Sequence, residues 1–372
     1  MNNVDIAKLL GQWLQGQSPS NSTIDPESTD DIIKQADWHG ISSLLYHQVN
    51  TSGISDSIPG NILEHLKNSH TNAIAVQMFT NQELRTVFRL FSNNGIEYLL
   101  FKGAPLSYTL YPEPFLRARS DTDILFPDKD TTRKAYRLLI QCGYALPNAI
   151  DGELVSQELS CCKRSQSGFI HMLDLHWKIN NLSHFAGLFT YAELKEKSQP
   201  VPIEDNPLAP DQVYALILAC LHRVSHIPYG EADRLIWLYD IHLLCNQFSD
   251  PDWENFLQLA TDKKLAAVVQ DSLEKSRLFL NTSLPTQFME KLASGQEYSI
   301  VKPRYHQAKW LYDVSNLQSL PGWKPRLLFL KENLFPPPEY MYAKYRIKQP
   351  VILPFLYLFR ILGGVPKLFT KA

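Results

Sequence analysis

Apolar residues recur at helical spacing along most of the chain and give way to strand-type runs in three short places. After a polar, turn-rich break at Ser18–Thr29, the stretch Asp30–Val49 carries Ile32, Ile33, Ala36, Ile41, Leu44, Leu45 and Val49 close to a 3.6-residue period, which predicts a helix. A longer helix is predicted over Pro59–Asn93, with a Ser57/Pro59 start and an Asn93-Asn94-Gly95 stop. Ile96–Phe101 is then a short apolar run that reads as a buried strand. Lys102-Gly103 follows at once, and Ala104–Tyr111 reads as helix. Ser120–Phe126 predicts a second strand, Thr131–Cys142 an amphipathic helix closed by Gly143, and Phe169–Trp177 a third strand that alternates with period two. Pro200, Pro202 and Pro207 mark a boundary. Beyond it, Pro210-Asp211 opens a helix with Val213, Leu216, Ile217, Cys220, Leu221 and Val224 on one face, and Arg234–Cys245 reads as another. Helical texture continues to about residue 293.

Three strands interleaved with helices, set between long helical stretches, predict an α+β protein: a small mixed-sheet core flanked by N-terminal and C-terminal helical regions. The predicted divisions are a helical region at 1–94, the sheet core at 95–205, a helical domain at 206–293, and a tail at 294–372 that packs on the body. A length of 372 residues with 44% hydrophobic content suits such a multi-part folded chain.

Charge changes the picture of the tail. The whole chain carries 36 Lys+Arg against 38 Asp+Glu, so no global basic field recruits nucleic acid. Residues 301–372, however, hold 12 basic and 3 acidic residues, or +9, leaving −11 for residues 1–300. The start, MNNVDIAKLLGQ, lacks the basic and apolar regions of a secretory signal. The most apolar stretch, Val351–Gly364, falls short of the ~20 residues that span a bilayer and is broken by Pro354 and Arg360. Five cysteines, at 142, 161, 162, 220 and 245, form no CxxC pair. Together these predict a reduced cytoplasmic protein, with no transmembrane segment, no zinc ribbon and no disulfide scaffold.

The chemistry concentrates around Asp121-Thr122-Asp123. On a strand, residues i and i+2 face the same way, so two carboxylates lie a few Å apart and raise each other's pKa unless a cation intervenes. Oxygen ligands favour Mg²⁺ or Mn²⁺. Asp174, embedded in the apolar third strand, is costly there unless paired or metal-bound, and a neighbouring strand would deliver it as a third ligand. Lys102-Gly103 sits where a strand ends and a helix begins, a place for a phosphate. Arg117 and Arg119 precede the carboxylates as candidate phosphate clamps. Phosphate cradle, cationic clamps and three carboxylates form the equipment of phosphoryl or nucleotidyl transfer.

The block YLLFKGAPLSYTLYPEPFLRARSDTDILF resembles the signature of the bacterial uncharacterised nucleotidyltransferases, within the DNA polymerase beta-like nucleotidyltransferase superfamily. The pattern falls on Lys102, Gly103, Leu106, Tyr111, Arg117, Asp121 and Asp123. A later block matches Leu173, Asp174, Leu175, His176 and Trp177, and a helical one matches His222, His226, Arg234, Trp237 and Asp240. Leu334-Phe335-Pro336 with Tyr340-Met341 in the tail also looks familial, so the resemblance spans about 95–360. It implies metal-dependent transfer of a nucleoside monophosphate from an NTP to an acceptor, with release of pyrophosphate. Asp121 and Asp123 would hold metal, with Asp174 completing the second site and helping to activate the acceptor. The superfamily's Gly-Ser at the phosphate turn is replaced here by Lys102-Gly103, and Ser120 stands where relatives often have Gly.

Plainer readings stand beside these. Lys102 fits a solvated strand end, and the arginines fit surface pairs. His176 reads as a strand histidine hydrogen-bonded near Asp174. His222 and His226 have the i, i+4 spacing of a zinc pair, but the HExxH glutamate is missing, which favours packing at the site's rim. Asp240 reads as the partner of Arg234 within the helical domain. Cys161-Cys162 reads as two small apolar side chains. For the acceptor, a small molecule, peptide or sugar is favoured. The alternatives are a toxin-like enzyme acting on tRNA or protein and an inactive nucleotide-binding module. The basic aromatic tail reads as a helix packed on the body, with an anionic membrane surface or RNA as its candidate partners.

Overall fold

The computed structural model describes residues 2–18, 24, 26–145, 156–166, 168–300, 309–347 and 349–369; part of the Ser18–Thr29 break lies outside them. The chain opens with helices α1 (Asn3–Leu14), α2 (Thr29–Trp38), α3 (Ser42–Thr51) and α4 (Gly60–Asn93). The single helix expected over Asp30–Val49 is two. Gly40 takes a left-handed φ of +70° and breaks it, and the His39 ring accepts a hydrogen bond from the Leu235 amide at the break. α4 has the expected limits. Its last turns bury Leu84, Val87, Phe88 and Phe91, an i, i+3, i+4, i+7 stripe, and the chain turns away at Gly95, φ +61°.

The core follows as β1 (Leu99–Leu100), α5 (Gly103–Thr109), β2 (Thr122–Leu125), α6 (Lys129–Gln141), β3 (Glu158–Arg164) and β4 (Ile170–His176). These strands form a mixed sheet in the order β1-β2-β4-β3, with β2 and β4 parallel and both outer pairs antiparallel. β3 escaped the sequence pattern. Its alternation of Leu159 and Cys161 inward against Glu158, Ser160 and Cys162 outward is short and carries little bulk. After α7 (Ser183–Ala186) and α8 (Tyr191–Glu196), the proline-marked boundary is itself a hairpin, β5 (Ser198–Pro200) with β6 (Leu208–Pro210).

Helices α9 (Gln212–Ser225), α10 (Leu235–Gln247), α11 (Asp250–Asp262), α12 (Ala266–Leu280) and α13 (Thr286–Ser294) come next. Asp211 caps α9 by accepting from the Val213 and Tyr214 amides. The last helices are α14 (Lys309–Ser319), α15 (Trp323–Leu334), α16 (Pro338–Tyr345) and α17 (Leu353–Phe369). The architecture is α+β, with a small mixed sheet between helical regions.

Three apolar clusters hold these parts together. One packs α4 and α6 on the sheet through Phe88, Phe91, Ile124, Leu139 and Leu175. A second joins α1–α4 to α10 and α12 through Trp13, Ile41, Leu66, Leu238 and Leu280. The third runs without a break from Leu99, Phe101 and Leu125 into α9–α13. The sheet core and the helical domain after it therefore share one interior, and the cleft between them has rigid walls.

Candidate active site

β2 and β4 lie side by side with Asp123 directly opposite Asp174. That register places both carboxylates at one point of the sheet, and His176 follows two residues on with its side chain on the same face as Asp174. One ligating atom from each of Asp123, Asp174 and His176 falls within 4.8 Å of the others. Among the described residues no other group of three such side chains converges this way. Asp121 sits one residue before β2 and lines the same cleft, accepting from the Ser120 hydroxyl at 3.0 Å.

Lys102 faces this cluster from the end of β1. Its backbone has φ +57° and ψ −134°, a conformation that a side chain tolerates poorly and that tertiary structure must hold. Its Nζ lies 2.6 Å from Asp123 Oδ1 and 3.4 Å from His176 Nε2. His176 Nε2 is also 2.9 Å from Asp123 Oδ1, and Nδ1 lies 3.0 Å from Glu158 Oε2. His176 is thus held chiefly by Asp123, rather than by Asp174 as its spacing suggested. Glu158 was missed with its strand; it stands opposite His176 across the β3–β4 ladder.

The electrostatics separate the carboxylates. Burial would raise the Asp123 pKa, but the Lys102 ammonium and the His176 hydrogen bond outweigh it and hold Asp123 far below the usual carboxylate range. Burial and the Asp123 charge push Asp174 up to about 6. The same two causes raise Asp121, against Lys102. Asp174 Oδ1 is buried without a hydrogen-bond partner. An orphaned, buried carboxylate oxygen beside a second carboxylate is costly as it stands and is what a divalent cation would satisfy. The donor set, oxygen-rich with one imidazole, fits Mg²⁺ or Mn²⁺.

The two arginines, both expected as phosphate clamps, are placed differently. Arg117 is buried and committed to Asp240, with Nη2 2.6 Å from Oδ2 and Nε 3.3 Å from Oδ1. The Tyr111 hydroxyl donates to the same Asp240 Oδ1 at 2.8 Å. The Tyr…Arg part of the sequence pattern therefore ties the sheet core to α10. Asp240 is not paired with Arg234, whose Nε donates instead to the Trp38 carbonyl while its guanidinium lies 5.1 Å from the Trp237 ring. Gly103 serves Arg117 too. A Cβ at position 103 would fall 2.1 Å from Arg117 Nη1, so the space left by the missing side chain holds the guanidinium. Arg119 donates from Nη1 to Ser107 Oγ and lies over the Tyr108 ring at 5.6 Å, but its buried Nε and Nη2 have no hydrogen-bond partner. Burial, opposed by Tyr108, leaves it a weaker base than an ordinary arginine.

These groups open onto a cleft of about 720 Å³ between the sheet and α9–α10. Its helical wall is aromatic: His222 and His226 are 4.5 Å apart, each 4.7 Å from Trp237. The histidine pair forms part of this wall, as the rim reading expected. Behind it lies a smaller, largely apolar chamber of about 210 Å³, whose wall also includes Lys102, Gly103, Arg117, His222 and Trp237.

A mixed sheet thus presents opposed carboxylates and a lysine to a cleft roofed by helices. The chain belongs to the uncharacterised nucleotidyltransferase family, which it matches over residues 25–281. The match begins within the N-terminal helices, earlier than the motifs alone suggested, and stops short of Leu334–Met341 in the tail. No curated protein matches the chain.

Proposed function

We propose that this nucleotidyltransferase moves a nucleoside monophosphate from an NTP to a hydroxyl or phosphate of a small molecule, peptide or sugar. The observation that carries the reading is Asp123 opposite Asp174, with Asp174 Oδ1 buried and unpartnered at the floor of a cleft large enough for a nucleotide. Asp123 and Asp174 would hold Mg²⁺ or Mn²⁺, with Asp121 and His176 beside them. Such an ion neutralises phosphate charge during an in-line displacement.

The acceptor oxygen forms a bond to the α-phosphorus as the bond to the β-phosphate oxygen breaks, and pyrophosphate leaves with that electron pair. Asp174, at the floor of the cleft opposite Asp123, is placed to help activate the acceptor hydroxyl. Lys102 is the ammonium nearest the carboxylates and meets the phosphates. Arg119, with two unpartnered donors, is the arginine that would bind them, while Arg117 positions Gly103 and the turn.

The test is calorimetric titration of the four NTPs with Mg²⁺ or Mn²⁺ into wild type and into Asp123→Ala and Asp174→Ala. Metal-dependent binding by the wild type, lost in both variants, is expected. Equal NTP binding with and without metal, or in the folded variants, overturns the metal assignment. Label from α-labelled NTP appearing in an acceptor would identify the product.

A further inference from the structure

The C-terminal helix is built with its apolar side outward. On α17, Phe355, Leu358, Phe359 and Leu362 are 68%, 53%, 66% and 58% exposed, and Val351 one turn earlier is 82% exposed. Their spacing, i, i+3, i+4 and i+7, is that of one continuous helical stripe. The polar groups of the same helix point inward instead. Tyr357 donates to the Pro336 carbonyl at 2.6 Å, and Arg360 donates to the Asn333 carbonyl from Nε and Nη2. Only Leu356 is buried on the helix's described turns. The preceding long helix of the tail repeats the arrangement. On α15, Trp323, Leu327, Leu330 and Leu334 recur at i, i+4, i+7 and i+11 and remain exposed, while Phe329 is buried. Two helices of one tail that turn apolar stripes to solvent are out of keeping with a tail whose aromatics merely pack on the body.

The charge around these stripes identifies what covers them. Residues 340–372 contain six Lys or Arg and no Asp or Glu. Lys324 and Lys331 are exposed on α15, and Lys344 on α16 and Arg346 just after it are exposed between the two stripes. An apolar stripe flanked by cations, with Trp323 and Tyr residues at its margins, matches the boundary between acyl chains and anionic headgroups. A second copy meeting this face across a two-fold axis would set basic tail against basic tail. RNA would find a stripe that is half leucine and carries no cation, where stacking calls for aromatic faces and phosphates call for cations. No described helix is long and apolar enough to cross a membrane, so the contact lies in the plane of the surface.

We infer that α15 and α17 dock the protein on an anionic lipid surface, with the Phe355–Leu362 stripe seated among the acyl chains and the basic residues against the headgroups. The inference rests on the tail alone and stands apart from the reaction proposed for the cleft.

Flotation of the full chain with vesicles tests it. Vesicles of phosphatidylcholine with about 30% phosphatidylglycerol should bind at least about tenfold more tightly than phosphatidylcholine alone, and high salt should erase most of the difference. A variant with Phe355→Ser, Leu358→Ser, Phe359→Ser and Leu362→Ser should lose binding to both vesicle types by about tenfold or more. It removes only exposed side chains, so its circular dichroism and Tm should match the wild type. Lys344→Glu with Arg346→Glu should remove the preference for anionic vesicles. Equal binding to both vesicle types, or binding unchanged in the folded stripe variant, overturns the inference. So does a dimer in sedimentation equilibrium that the stripe variant dissolves, or tight binding of an RNA oligonucleotide that competes with vesicles.

Discussion

Lys102 Nζ sits 2.6 Å from Asp123 Oδ1, and that ammonium, joined by the His176 hydrogen bond, keeps Asp123 ionised among the other carboxylates of the cleft. Both side chains are largely buried, so the pair has little solvent screening. Lys102→Met removes the cation and leaves Asp123 uncompensated beside Asp174. In the presence of a chelator we expect a loss of about 3 kcal/mol, several degrees in Tm. Adding Mn²⁺ should restore more stability to the variant than it adds to wild type, because a divalent ion supplies the missing charge. A thermal-shift series with and without metal measures this. Identical metal responses in the two proteins would show that the lysine and the ion do not share a site.

Gly103 and Arg117 should behave as one unit. A methyl group at position 103 would displace the Arg117 guanidinium from its place against the turn. Gly103→Ala should therefore destabilise the protein about as much as Arg117→Ala, each by about 3–5 kcal/mol, since either leaves buried Asp240 without its cation. The double variant should cost clearly less than the sum. Urea unfolding of the four proteins completes the cycle, and simple additivity would show that the glycine serves something other than the arginine.

The strands that carry Asp123 and Asp174 were legible in the sequence because both announce themselves locally: a carboxylate pair spaced by two, and a charge set into an alternating apolar run. The register that opposes them depends on pairing between segments about fifty residues apart, and no local pattern encodes it. Arg117 shows the same limit. Its type and spacing suited a phosphate clamp, but Asp240, 123 residues later, claims it. β3 and Glu158 were missed because Leu159 and Cys161 give a weak alternation. The tail reads from its composition as a helix packed on the body, but composition does not say which face is outward. The structure shows that the apolar one is.

Acid should destabilise the fold while its ordinary surface carboxylates are still ionised. His39 is buried, accepts a hydrogen bond from the Leu235 amide and is lowered to about 4 by burial and then Arg234, against Asp233. His171 is buried against the Tyr144 hydroxyl and lowered to about 3, chiefly by burial and then by Arg119 and Lys163. Both are neutral in the folded state, whereas the unfolded chain takes up their protons as pH falls through about 6.5. Stability is therefore full above that pH and declines below it, by on the order of 3 kcal/mol for His39 alone by about pH 4. Urea midpoints measured from about pH 7 to about pH 5 should fall steadily, and His39→Asn, whose amide oxygen can replace Nδ1 as acceptor, should flatten the slope. A flat wild-type profile over that range would contradict the burial of neutral histidines.

Metal affinity should carry the signature of Asp174. In the metal-free protein its carboxyl is held at about 6 by burial and the Asp123 charge, so below that pH it is protonated and cannot serve as a ligand. Asp123, held low by Lys102 and His176, stays ionised throughout and contributes no pH dependence in this range. The apparent affinity for Mn²⁺ should then be nearly level above about pH 7 and fall by close to tenfold per pH unit below about 6. Asp174→Asn should both weaken binding and remove most of the fall near pH 6, since Asp123, opposite it, does not titrate there. Electron paramagnetic resonance of free Mn²⁺ across the pH series reads this directly, without any turnover. A wild-type affinity that declines only below about pH 4 would mean that Asp174 is not the titrating ligand, and the cation would then have to be assigned to Asp121 with Asp123 alone.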